Sequence, residues 1–285
     1  MYGKKVSFSM GGTIKQILIY FLLFLAGDLL SSMLLDLLFS AVKLPESWMY
    51  QLPRALGGLF LTWLLFWLYT TKILRLRMRD FGITPGIRAW TAAAAVLLPV
   101  CVAAVYLAIG EGSAHRVPAG EALGVIAASL AFALKAGITE EMLFRGYMMT
   151  LLRERWGRAA AILAPSVLFG CLHLLNLESF SAVGVALLIV SGSLVGIMFS
   201  LVADRGGSVG GSALMHTLWN LVMVTGILCI TTDQGESGAA LFSIVIPSGN
   251  VLLTGGDFGV EASAVAVLGY GAVCCLALMM RKTER

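Results

Sequence analysis

The residues best suited to chemistry are Glu140, Glu141 and Arg145, clustered at 133–147 in the run Ala-Leu-Lys-Ala-Gly-Ile-Thr-Glu-Glu-Met-Leu-Phe-Arg-Gly-Tyr. A charged side chain near the centre of a bilayer costs about 2.5–3.5 kcal/mol on insertion scales. Three within six residues therefore mark a wet or protein-lined interior and a functional site. Two of the chain's three histidines also lie in apolar runs. His173 follows Phe169 by four residues and His216 precedes Asn220 by four, which puts each pair on one helix face. The third, His115, sits in the polar run Glu-Gly-Ser-Ala-His-Arg and reads as a solvated surface residue. A carboxylate and an imidazole meeting in a protected pocket can activate water against a carbonyl. A second histidine beside an amide can donate hydrogen bonds to the oxyanion that develops. The same Glu140, His173 and His216 could instead form a His₂Glu zinc site with water as fourth ligand. Neither histidine pair has the H-E-x-x-H form of a zincin. Both schemes lead to hydrolysis.

Depth gives an internal check. At 1.5 Å per residue, Glu140 lies ~20 Å beyond Arg153, His173 ~22 Å from Arg158 and His216 ~16 Å from Arg205. Polar groups from three helices thus reach a similar level, as one shared site requires. Adjacent helical residues point about 100° apart, so Glu140 and Glu141 cannot face one centre equally. Glu141 and Arg145 are four apart in the favourable acid-before-base order. They are assigned to each other as a structural ion pair, which leaves Glu140 for chemistry.

Taken together, Glu140-Glu141-x-x-x-Arg145, Phe169-x-x-x-His173 and His216-x-x-x-Asn220 resemble the three ordered motifs of the CPBP family, also called the Abi or CAAX-protease family. That family includes membrane-embedded type-two CAAX prenyl endopeptidases and many bacterial relatives. The resemblance covers residues 140–220, and no motif position departs from the pattern. It implies an eight-helix intramembrane endopeptidase, one integral-membrane domain over 1–285 with its motif-bearing core at about 121–230. By that pattern Glu140 and His173 activate water, His216 and Asn220 form the oxyanion hole, and the substrate is a peptide or protein reached at or in the membrane. A metal-independent glutamate mechanism with no required cofactor is favoured; zinc or another divalent ion held by Glu140, His173 and His216 is the alternative. A non-proteolytic immunity or scaffold protein is the rival reading. A proton-coupled transporter is the third, and the inverted hydropathy repeats that would support it are not seen.

The elements that must position these residues are membrane helices. The chain has 285 residues, 59% hydrophobic and 13% charged, with a mean hydropathy of +0.90. Soluble domains carry about 25% charged residues, so this is membrane composition. Stretches long enough to span fall at roughly 14–40, 52–74, 89–110, 121–152, 159–177, 180–203, 208–230 and 260–280. The expected fold is an all-α polytopic bundle of about eight transmembrane helices with both termini cytoplasmic, with the lipid bilayer as a partner and no nucleic-acid partner. The basic residues set the orientation. Lys4, Lys5, Lys15, Lys72, Arg75, Arg77, Arg79, Arg88, Arg153, Arg155, Arg158, Arg205, Arg281, Lys282 and Arg285 all fall inside, against Lys43, Arg54 and Arg116 outside. A bacterial cytoplasmic membrane is the expected location. Trp48, Tyr50, Trp90 and Trp156 sit near span ends, where amphipathic rings anchor at the interface. The first span is read as uncleaved, since no A-x-A-like site follows its apolar run.

Asp28 and Asp36 fall in the first span and Lys135 in the fourth; Asp28 and Lys135 are expected to pair across helices. Met142, Met148 and Met149 read as packing residues. Gly192/Gly196 and Gly207/Gly211 have the G-x-x-x-G spacing of close helix contacts. Cys101, Cys171, Cys229, Cys274 and Cys275 lie in apolar runs without a C-x-x-C spacing and read as small buried hydrophobes. The longest non-spanning stretch, 231–259, reads as an external hairpin with strands at 241–246 and 251–254 around Pro-Ser-Gly-Asn. The oligomeric state is not set by any of these features.

Overall fold

The computed structural model describes residues 6–42, 47–176, 181–232 and 240–281. Lys4, Lys5, Lys43, Lys282 and Arg285 lie outside the described residues. The fold is an all-α helical membrane bundle with little sheet. Its principal helices are α1 (Met10–Val42), α2 (Trp48–Leu68), α3 (Ala89–Ile109), α4 (Ala119–Glu141), α5 (Met149–Leu172), α6 (Ala182–Gly206) and α7 (Val209–Met223). A single turn, α8 (Val251–Thr254), precedes α9 (Ala264–Met279).

Five helical stretches are long and apolar enough to cross a membrane: Met10–Ser40, Trp48–Ile73, Ala89–Ile109, Ala119–Leu175 and Ala182–Gly206. The fourth, at 57 residues, contains both the fourth and fifth expected spans. It does not run straight. Gly157 adopts φ 82°, a left-handed value that favours glycine, and breaks α5 between 149–156 and 158–172. The rings of Phe144 and Phe169 meet edge to face at 5.3 Å. A straight helix would separate those residues by ~37 Å, so the chain doubles back at the break. Arg153 and Arg158, on either side of it, both bind Asp204 of α6, at 2.7 and 2.9 Å.

The stretches expected at 208–230 and 260–280 are shorter as helices, 15 residues in α7 and 16 in α9. The β-branched residues after Val224 leave the helix and enter a strand. That strand, β2 (Leu228–Thr231), pairs in parallel with β3 (Phe242–Val245), and β3 pairs antiparallel with β1 (Glu111–Ala114). The hairpin expected within 231–259 is therefore corrected. Its first strand exists, but its partners are β1 and β2, and Val251–Thr254 is a helical turn capped by Asn250. A four-residue apolar run does not distinguish strand from helix; the Asn250 side chain accepting from the Leu252 amide decides it. His115 is half-buried rather than solvated, because this sheet brings Ser243 within 2.9 Å of its Nε2.

Asp28 of α1 and Lys135 of α4 form the expected cross-helix ion pair. Asp36 accepts from the Tyr50 hydroxyl. Of the cysteines, Cys274 is buried while Cys101 and Cys275 are exposed, so the buried reading fails for those two. Both lie in apolar helices, α3 and α9.

Close backbone approach draws α5 and α6 together. A Cβ placed on Gly196 would come within 2.8 Å of the Ser166 Cα, and one on Gly192 within 2.8 Å of the Gly170 Cα. Of the Gly207/Gly211 pair, Gly207 instead ends α6 at φ 77°, while Gly211 packs on Thr91. We expect Gly196→Leu to wedge α5 from α6 and to lower stability by at least the ~1–3 kcal/mol of an overpacked core, read as a lower melting temperature of the purified protein in detergent.

Candidate active site

The motif residues are positioned from the end of α4 onward. After Glu141 the helix widens into a π turn, Met142–Met148, before α5 begins. Such turns are rare and recur at functional sites. Here the widened turn carries Arg145 back onto Glu141, with Nη1 donating to Oε1 at 2.6 Å. Both side chains are fully enclosed. Arg145 Nη2 donates to the carbonyl of Gly196 at 2.9 Å, across the close contact just described. Its guanidinium lies 4.9, 5.3 and 5.6 Å from the ring centres of Phe169, Phe199 and Phe144. Those faces are attractive to a desolvated cation. Arg145 Nε and Glu141 Oε2 have no hydrogen-bond partner among the described residues.

Glu141 does more than balance Arg145. Its Oε1 also lies 3.1 Å from His216 Nδ1. The carboxylate can only accept, so His216 donates through Nδ1–H and turns Nε2 the other way. Nε2 lies 3.9 Å from Glu140 Oε2, which is close but beyond hydrogen-bond length. Phe199 stacks on the His216 ring at 4.7 Å. Gly137 lets α7 reach α4: a Cβ there would collide with Thr217, the residue after His216.

His173 ends α5 and begins a 3₁₀ turn, His173–Asn176. Its Nδ1 is 2.8 Å from the carbonyl of Phe169. A carbonyl accepts, so Nδ1 carries a proton, and the tautomer this selects leaves Nε2 as the acceptor. The Phe169-x-x-x-His173 spacing thus sets a tautomer, since both residues occupy one helix face.

One cavity of about 320 Å³ is lined by Glu140, His173, His216 and Asn220, with Phe169 and Phe199 among its apolar walls. Glu140 and His173 also border an adjoining recess with Phe24, Phe144 and Leu172. The structure therefore brings all four expected catalytic residues to one cavity and keeps Glu141 and Arg145 behind it. Glu140 is a quarter exposed, whereas Glu141 is closed off. Their separate environments follow from the roughly 100° between neighbouring side chains.

Glu261 was not singled out from the sequence, and it lines this same cavity. It lies in a short turn, Val260–Ala262, just before α9. Trp219 Nε1 donates to its Oε1 at 2.7 Å. Burial pushes this carboxyl upward; the Trp219 hydrogen bond and the charges of His173 and His216 pull it down, and Glu140 pushes it up again. No local spacing could have found it. Its isolation between apolar residues, one turn before a buried helix, was the available signal.

The residues do not fit a metal as they stand. Among the described residues, no group of three His, Cys, Asp or Glu side chains is arranged to hold an ion. The arrangement can instead hold a water between an acceptor carboxylate and an acceptor imidazole, with an amide at Asn220 as a donor.

Removing Arg145 should expose the cost of the buried pair. Arg145→Met leaves Glu141 buried without its cation and should lower stability by about 3–5 kcal/mol. Combining it with Glu141→Gln should recover most of that loss, and thermal unfolding of the two single variants and the double variant gives the coupling.

Residues 122–222 match the family model of type II CAAX prenyl endopeptidases, Rce1-like. The matched segment includes Glu140, Glu141, Arg145, Phe169, His173, His216 and Asn220. Comparison with curated proteins and with solved structures gives no match. Its apolar helices make the chain an integral membrane protein, and its segment 122–222 is similar to this membrane-protease family.

Proposed function

We propose that this chain is an intramembrane endopeptidase in which Glu140 and His173 activate a water molecule. The observation that carries the reading is the single cavity shared by Glu140, His173, His216 and Asn220, contributed by α4, α5 and α7. Glu140 accepts a proton from the water, and His173 orients that water through Nε2. The oxygen attacks the peptide carbonyl carbon. Asn220 donates to the resulting oxyanion, and His216 adds a second donor when Nε2 is protonated. Glu141 acts through His216 by fixing Nδ1, and is a positioning residue. No step is routed through a metal.

The CAAX prenyl endopeptidase activity of the matched family suggests a membrane-anchored, prenylated peptide as substrate. An apolar groove of about 510 Å³ between α2, α4 and α7 supports that suggestion. It is lined in part by Trp63, Leu134, Ile138, Met142 and Leu214. Leu134, Ile138 and Met142 follow one another at four-residue spacing on the helix face opposite Glu140, so a lipid chain there would lie across α4 from the cavity.

Membrane proteomes of cells carrying the wild type or Glu140→Gln test the proposal. An uncleaved precursor should accumulate in the variant and in His173→Ala. Identical proteomes and full biological activity in both variants would favour a scaffold role instead. With the purified protein and that precursor, Glu140→Gln should lower kcat by about 10²–10⁴-fold and Asn220→Ala by about 10²–10³-fold. Exhaustive chelation should leave the rate within twofold of the untreated enzyme; loss restored by added zinc would overturn the metal-independent scheme.

A further inference from the structure

Peptide hydrolysis needs two proton transfers. Water must lose a proton as it attacks, and the departing nitrogen must gain one as the C–N bond breaks. Glu140 accounts for the first. The cavity contains a second carboxyl, Glu261, that the scheme above leaves unused.

Its setting is built rather than incidental. Trp219 lies between His216 and Asn220 on α7, and its indole N–H holds Glu261 Oε1 at 2.7 Å. The Tyr270 hydroxyl donates to the Glu261 main-chain carbonyl at 3.1 Å. Gly259, at φ 83°, turns the chain into this position, and Ser263 caps α9 immediately after it. Phe258 of the same turn brings its ring to 5.9 Å from His173. One oxygen of Glu261 is thereby fixed, and the carboxyl lines the cavity shared with Glu140, His173 and His216.

We propose that Glu261 is a further acid–base residue of this site, placed to give a proton to the departing amine while Glu140 takes one from water. The proposal rests on the endopeptidase reading above. Water transfers one proton to Glu140, and its oxygen bonds to the carbonyl carbon. As the C–N bond breaks, its electron pair stays on nitrogen, which takes the Glu261 proton. The products are a carboxylic acid and an amine, leaving Glu140 protonated and Glu261 ionised. Transfer of that proton from Glu140 to Glu261 through cavity water restores the starting state. Two carboxylates in one cavity of low dielectric do not both ionise readily, and environments that separate their proton affinities assign one as acid and the other as base. The groups facing Glu261 are Glu140 from α4, His173 from α5, His216 from α7 and Tyr270 from α9. Burial of Glu261 favours its neutral form.

The test compares the wild type, Glu261→Gln and Glu140→Gln on two probes. One is a quenched-fluorescent pool of randomised octapeptides; the other is the matching pool of peptidyl nitrophenyl esters. Gln retains an acceptor for the Trp219 indole, so Glu261→Gln should fold. It should lose about 10²–10⁴-fold in kcat on the amides with KM little changed, yet keep the wild-type rate on the esters, whose leaving group departs without a proton. Wild-type amide turnover in Glu261→Gln, or equal loss on both probes, overturns the proposal. Wild-type turnover in Glu140→Gln overturns the endopeptidase reading instead. Infrared spectroscopy of the protein in liposomes reads the same point without turnover. A carboxylic-acid C=O band at neutral pH should vanish in Glu261→Gln and persist in Glu140→Gln, and its absence from the wild type overturns the proposal.

Discussion

The structure depends on keeping Arg145 and Glu141 charged inside a bundle that excludes water. A lone buried ion is far more costly than a paired one, and a pair is tolerated only with good geometry and further partners. The surrounding fold supplies them. The π turn returns Arg145 to Glu141, the Gly196 carbonyl takes a second N–H, and three phenylalanine faces surround the guanidinium. That carbonyl is within reach only because Gly192 and Gly196 let α6 close on α5. Helix contact, ion pair and aromatic cage are one arrangement.

The chemistry is attached to this arrangement through a single oxygen. Glu141 Oε1 receives Arg145 on one side and His216 on the other. The charge pair that makes burial tolerable therefore also selects which nitrogen of His216 faces the cavity. His173 gets the equivalent constraint from the Phe169 carbonyl. Each of the two cavity imidazoles thus has a partner that orients it: the Phe169 carbonyl for His173 and the Glu141 carboxylate for His216. Orientation by a supporting partner is what holds a site to productive geometry.

The local part of this was legible in the sequence. Glu141 and Arg145 announce their pairing through a four-residue spacing, and Asp28 and Lys135 through being charges stranded in apolar runs. Helix positions followed from hydropathy because each helix is apolar over most of its surface. Other features depend on distant chain. Ser243 reaches His115 across 128 residues, and β1 meets β3 across a similar separation, so neither contact leaves a local period. The π turn was hidden for another reason: Met142–Met148 has an ordinary helical composition, so its widened turn leaves no local signature.

Glu261 shows why a motif does not define a cavity. The three motifs contribute residues from α4, α5 and α7, leaving one side to be closed by whatever chain packs there. The turn at Gly256–Phe258 and Val260–Ala262 closes it, and Tyr270 of α9 holds that turn in place. A carboxyl on the closing segment enters the same low-dielectric space as Glu140, and its electrostatics are coupled to the motif residues although its sequence position is not. The indole of Trp219 makes the link physical, since it projects from the very turn of α7 that carries His216 and Asn220. Movement of the closing segment would therefore be felt at both histidines, through Phe258 at His173 and through Trp219 at His216.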